Sequence, residues 1–182
     1  MRTLRKNILG LCLVGMGLGV GAPTQAATGV GPYYAMPSWD QTLPAATRFI
    51  VLTNMNSEAV LDRETGLVWE QSPSTADQTW REAFVVCIQK TVGSRKGWRL
   101  PTIQELASLF DPANPGDPGL PPGHPFSNVR SFIFYWSATV STFNTNTAWV
   151  VFTANGDSSN VTTKLSPAGY WCVRGGQGPD TQ

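Results

Sequence analysis

Histidine is almost missing from this chain and cysteine is scarce: among 182 residues one is histidine and three are cysteine. A single imidazole excludes a His-rich zinc site. Nor does it support a Ser-His-Asp arrangement, because His124 stands in a proline- and glycine-rich stretch with no helix or strand to fix it against Ser127 or Asp111. Charge is thin as well. Thirteen basic residues face twelve acidic ones, without the excess of positive charge that holds nucleic acid. The one long apolar run, residues 8–22, is interrupted by Gly10, Gly15, Gly17, Gly19 and Gly21 and falls short of the ~20 residues a membrane span needs.

What is present begins with an address. Arg2, Arg5 and Lys6 precede the apolar run and small residues follow near Thr24-Gln25-Ala26, the layout of a secretory signal cleaved after Ala26. Residues 1–26 are read as that signal, and Cys12 leaves with it; the bulky Leu11 before it argues against lipidation. Cleavage leaves ten basic and twelve acidic residues, a net charge near −2. The remaining Cys87 and Cys172 are an even pair in an oxidising compartment and read as one disulfide. It would tie the first helix to the closing strand across about 85 residues. Two free thiols fit an exported chain poorly, and a metal pair lacks further ligands. The protein is expected in the periplasm or outside the cell.

Residues 27–46, with Gly29, Gly31, Pro32, Pro37 and Pro44, show no apolar periodicity and read as a flexible leader. Beyond it Phe49-Ile50-Val51-Leu52, Ala59-Val60-Leu61 and Leu67-Val68-Trp69 predict an antiparallel meander. Thr75-Ala76-Asp77-Gln78 matches a capping box, and Trp80, Ala83, Phe84, Cys87 and Ile88 follow at the spacing of one helical face. A second box, Thr102-Ile103-Gln104-Glu105, opens a shorter helix with Ile103, Leu106, Ala107 and Phe110 on one side. Six prolines and three glycines from Asp111 to Pro125 predict a long surface loop, the most variable part of the molecule. Downstream, 132–139 and 147–153 read as strands, Asn155-Gly156 as a two-residue hairpin turn and 158–164 as the return strand. Tyr170-Trp171-Cys172-Val173-Arg174 reads as the closing strand, and 177–182 as a tail. The expectation is one α+β domain over 47–176, with two helices packed on small antiparallel sheets.

Four ordered motifs add a resemblance. Asp62 with Thr65-Gly66-Leu67-Val68-Trp69, then Gly97-Trp98-Arg99-Leu100-Pro101-Thr102 with Glu105-Leu106, then Tyr135-Trp136-Ser137-Ala138-Thr139, then Trp171-Cys172-Val173-Arg174 closely resemble the DUF1566 family. This is the Lcl C-terminal domain of a bacterial collagen-like adhesin, and the similarity runs from about 49 to 176. It implies a C-type-lectin-like fold, distantly related to the formylglycine-generating sulfatase-modifying enzymes. In that plan a first-helix cysteine pairs with one in the last strand, in agreement with the reading of Cys87 and Cys172. The adhesin uses its domain to bind sulfated polysaccharides at the cell surface. This chain has no collagen-like repeat and lacks the net positive charge that suits such a ligand.

The residues divide into a structural motif and a candidate ligand surface. Trp98 and Leu100 would share one face of a short extended segment, Pro101 would end it and Thr102 would cap the next helix. Arg99 would pair with Glu105 or Asp62, because a buried guanidinium needs its donors satisfied; Trp136 and Arg174 complete this set. Asp111, Asn114, Asp117, His124, Phe126, Tyr135 and Tyr170 form the candidate ligand surface, the aromatics among them exposed to stack on a sugar ring or a partner chain. Calcium on Asp111, Asn114 and Asp117 is the less favoured reading, and Asn155-Gly156-Asp157 suits a turn better than an ion. No metal or cofactor is expected. The function predicted is non-catalytic recognition of a glycan or an envelope protein; an enzyme akin to the sulfatase modifiers and a purely structural envelope protein are the alternatives.

Overall fold

The computed structural model describes residues 43–176 apart from 112, 115, 117 and 159. The expected signal, the tail and the leader as far as residue 42 lie outside the described residues. In chain order come α1 (Ala45–Arg48), β1 (Phe49–Val51), a 3-10 turn (Thr53–Met55), β2 (Ala59–Asp62), β3 (Leu67–Glu70), α2 (Trp80–Gln89), β4 (Trp98–Arg99), α3 (Ile103–Ala107), β5 (Phe134–Val140), β6 (Thr147–Phe152), β7 (Asn160–Thr163) and β8 (Val173–Arg174). The fold is α+β: a five-stranded sheet ordered β1-β2-β3-β8-β4, called sheet 1, and a three-stranded sheet ordered β5-β6-β7, called sheet 2. All strand pairs are antiparallel. The predicted meander is β1-β2-β3, with Val60 opposite Trp69. The closing strand is shorter than expected, covering only Val173 and Arg174.

Alternation along these strands decides what is buried. Phe49, Val60, Leu67, Trp69 and Val173 line one face of sheet 1 and meet Ile103, Leu106, Tyr135 and Val151 in one core. Trp171 is its hub, edge-on to Trp69 at 5.8 Å and to Phe126 at 4.9 Å, the geometry that aromatic quadrupoles favour. A second core gathers Ala59, Ala83, Cys87, Trp98, Leu100, Trp136, Val150 and Cys172. Sheet 2 therefore contributes to both cores, Val151 to the first and Val150 to the second.

Four local expectations need correction. Residues 45 and 46, read as leader, begin the turn of α1. The cap of α2 is Thr79 rather than Thr75: Thr79 N and Oγ1 both donate to Glu82 Oε2, at 3.0 and 2.7 Å, and these bonds hold the Glu82 carboxyl below its ordinary pKa. The earlier box is pre-empted, because Gln78 N and O bond the Ala168 backbone and Asp77 pairs with Arg130. Ile88, placed on the buried stripe, is 54% exposed, since the contact centres on Ala83 and Cys87 and Ile88 projects about 100° away from Cys87. Asn155-Gly156 does not make a two-residue turn. Phe152 N donates to Asp157 O across a four-residue tip, 153–156. Gly156 adopts φ +70°, and a Cβ there would lie 2.5 Å from that of Phe110.

The proline-rich stretch is also more firmly held than predicted. Asp111 N bonds Gly119 O, Gly119 N bonds Thr153 O, and Leu120 and Phe126 are buried in the first core.

Candidate functional site

A shallow open cleft of about 380 Å³ lies between α3 and sheet 2, lined by Ile103, Gln104, Ala107, Thr139, Trp149 and Ser158. Local structure explains its walls. Thr102 caps α3 by accepting from Glu105 N at 3.2 Å, while Glu105 Oε2 accepts from Thr102 N at 2.8 Å. Ile103 N donates to Thr139 Oγ1 at 3.0 Å, so a side chain of β5 satisfies another free amide of the helix start. Strand pairing slips between Trp136 and Val140, where Ser137 Oγ bonds Trp149 O at 2.8 Å and accepts from Thr139 N at 3.2 Å. That irregularity turns Thr139 toward the helix. Trp149 is half-buried with its base on the first core. No lining side chain is charged, so the cleft offers an aromatic surface, an amide and two hydroxyls.

The expected structural motif lies beside this helix. Trp98 and Leu100 are buried, Arg99 half-buried between them. Arg99 pairs with Glu105, Nη1 to Oε2 at 2.8 Å and Nη2 to Oε1 at 2.7 Å, and Nη2 also bonds Gly175 O. Of the two acids considered, Glu105 is the partner. The pair joins β4, α3 and the chain after β8, and Pro101 O accepts from Ala138 N of β5. Trp136 Nε1 bonds Gln78 O, and Arg174 Nε bonds Lys96 O at 2.9 Å. Arg99→Ala leaves Glu105 a largely buried, uncompensated carboxylate, and a loss of about 3 kcal/mol is expected. Differential scanning calorimetry showing an unchanged melting temperature would refute this role.

Two ionic clusters were not legible as such. Arg48 stands just before the first predicted strand and is buried, with Nε and Nη2 on Asp62 at 2.9 and 2.8 Å, Nη1 on Glu64 at 2.9 Å and Nη2 on Ser108 O at 2.7 Å. Asp62, the other acid considered for Arg99, belongs to Arg48. Glu70 is buried, pairs with Lys90, accepts from Cys172 N at 2.9 Å and through its carbonyl accepts from Trp171 Nε1. Burial pushes its carboxyl above the usual range, and Lys90 opposes that shift. This cluster flanks the Cys87–Cys172 disulfide, whose Cα atoms are 5.5 Å apart. The predicted bond is present.

The candidate ligand surface does not assemble. Tyr135, Phe126 and Tyr170 are core residues, not exposed platforms, because Tyr135 and Phe126 pack on Trp171 and the Tyr170 ring lies under Lys90. His124 is half-buried and stacked on Phe126 at 5.9 Å, its Nδ1 buried without a partner and its pKa lowered by burial. Asp111 Oδ1 accepts from Ala113 N, and Asn114 spends its side chain on Leu120 O and Gly116 N; Asp117 lies outside the described residues. Among the described residues no three His, Cys, Asp or Glu side chains converge as a metal site would require. Sequence reasoning missed the cleft because Trp149 alternates into a strand like any core aromatic. Gln104, exposed inside a capping box, was the available signal.

No helix among the described residues is long and apolar enough to cross a membrane. The disulfide is consistent with an exported protein. No curated protein matches the chain. The family model of the Lcl C-terminal domain matches residues 58–174, spanning β2 to β8, and so all of sheet 2, sheet 1 apart from its edge strand β1, the disulfide and the Arg99–Glu105 pair. The chain belongs to the Lcl C-terminal domain family.

Proposed function

We propose that this protein is an exported, non-catalytic recognition module of C-type-lectin-like plan, and that the cleft between α3 and sheet 2 receives an uncharged glycan. The lining carries the reading: a half-buried indole offers a face for the apolar side of a sugar ring, and Gln104, Thr139 and Ser158 can bond hydroxyls around it. A sulfated or uronic acid chain would meet no cation there. Support for a binding role comes also from the cysteines and the charges. Cys87 and Cys172 are held in a buried bond, and the buried charged side chains are tied into ion pairs that join elements of the fold. The lectin-like plan is supported by a disulfide running from α2 to the residue before β8.

A glycan array followed by isothermal titration tests this. Neutral glycans are expected to bind, and Trp149→Ala to weaken binding about thirtyfold without loss of folding. A blank array would point instead to a structural envelope role, and equal binding by the variant would remove the cleft as the site.

A further inference from the structure

A second surface lies at the margin of the face of sheet 1 turned away from the α3 core, beyond the part that α2 and the second core cover. We infer that this margin rests on an anionic lipid surface. Across β1, β2, β3 and β8, Ile50, Leu61, Val68 and Arg174 stand opposite one another in register. They form one row on the side opposite Val60, Trp69 and Val173; on that side Ala59, Cys172 and Trp98 are buried in the second core and Val68 packs on its edge, so the row is the margin that α2 leaves uncovered. Ile50 is 43% exposed, and Leu61 and Val68 are half-buried. Apolar side chains left in water along a sheet face mark a contact surface.

Cations frame that row. Arg63 follows Leu61 by two residues on the same side, and Arg95 and Lys96 occupy the turn before β4, where Lys96 O holds Arg174 Nε at 2.9 Å. Arg63 bonds only a carbonyl, Thr47 O, and among the described residues no carboxylate pairs with Arg63, Arg95, Lys96 or Arg174. The cations drawn into the fold behave otherwise, since the buried Arg48 and the half-buried Lys90 and Arg99 each have an acid. The acids near the face are already engaged: Glu70 is buried with Lys90, and Glu58 accepts from Gly93 N at 2.6 Å.

An apolar strip bordered by four unneutralised cations complements a surface that offers phosphates beside apolar chains. A soluble polyanion would leave Ile50, Leu61 and Val68 wet, and a second copy of the same face would bring like charges together. The contact is peripheral, independent of the glycan cleft, and would orient the domain on the leaflet.

Co-sedimentation of the purified protein with phosphatidylglycerol or phosphatidylcholine vesicles tests it. Binding to the anionic vesicles alone is expected, falling as salt rises from about 0.05 to about 0.5 M. Arg95→Glu with Lys96→Glu should weaken it at least about tenfold, and Ile50→Ser about threefold, with unchanged melting temperatures. Trp149→Ala should bind vesicles as the parent does, which separates failure of this contact from failure of the glycan reading. No binding, equal binding to both lipids, or wild-type binding by the charge-reversed variant would overturn the proposal. So would Ile50→Ser binding like the parent while long-chain polyphosphate competes, because the face would then serve a soluble polyanion.

Discussion

Replacing Cys87 and Cys172 together by alanine is expected to lower the unfolding free energy by about 4.5 kcal/mol. The bond spans 85 residues, and without it the unfolded chain regains the conformations that the closed loop forbids. The loss is a large fraction of the 5–15 kcal/mol that ordinarily separates folded from unfolded domains. Both cysteines are fully buried in the second core, so a reductant should act slowly until the protein opens. Urea titration of the parent and the double variant measures the difference. A loss below about 1.5 kcal/mol, a third of the expected effect, would show that the Glu70–Lys90 pair and the tryptophan core already hold the two ends together.

Arg48→Ala should cost nearly as much, about 4 kcal/mol. Asp62 is fully buried and Arg48 nearly so; truncation leaves Asp62 with only the Glu64 amide, at 3.0 Å, and removes the tie from α1 to the Ser108 carbonyl at the end of α3. The expensive state is the half-broken pair. Arg48→Met combined with Asp62→Leu is therefore expected to recover most of the loss, because neither charge then remains desolvated. Chemical denaturation of Arg48→Met, of Asp62→Leu and of the two combined closes the cycle. Additive losses would mean that Arg48 matters through its contact with the Phe49 ring, 4.7 Å from the guanidinium, more than through charge.

The parts of this fold that were legible share a property: their determinants are local. Thr102 and Glu105 are three residues apart and make the cap they predict; the β1-β2-β3 meander and the stripe Trp80, Ala83, Phe84 and Cys87 likewise read correctly from spacing. The pairing of Cys87 with Cys172 was legible for a different reason, since only two cysteines follow the expected cleavage site. What misled depends on distant partners. Thr75 carries as good a capping box as Thr79, and distant partners exclude it: the strand-like bridge from Gln78 to Ala168 and the pair of Asp77 with Arg130. Phe126, Tyr135 and Tyr170 look available because they flank a proline-rich stretch or a turn, yet Trp171 and Lys90 cover them. The cleft depends on an irregularity in β5 against β6 that no motif announces.

Sheet 1 is completed from its middle. β3 and β4 do not touch each other; each pairs with β8, which slides between them. A growing polypeptide that has not yet yielded Val173 and Arg174 therefore holds a three-stranded fragment, a stranded β4 and a Cys87 thiol with no mate. Such a chain cannot close sheet 1 until β8 has been made. With Cys172 just ahead of that central strand, the disulfide cannot seal the sheet before nearly all of the described domain has been made.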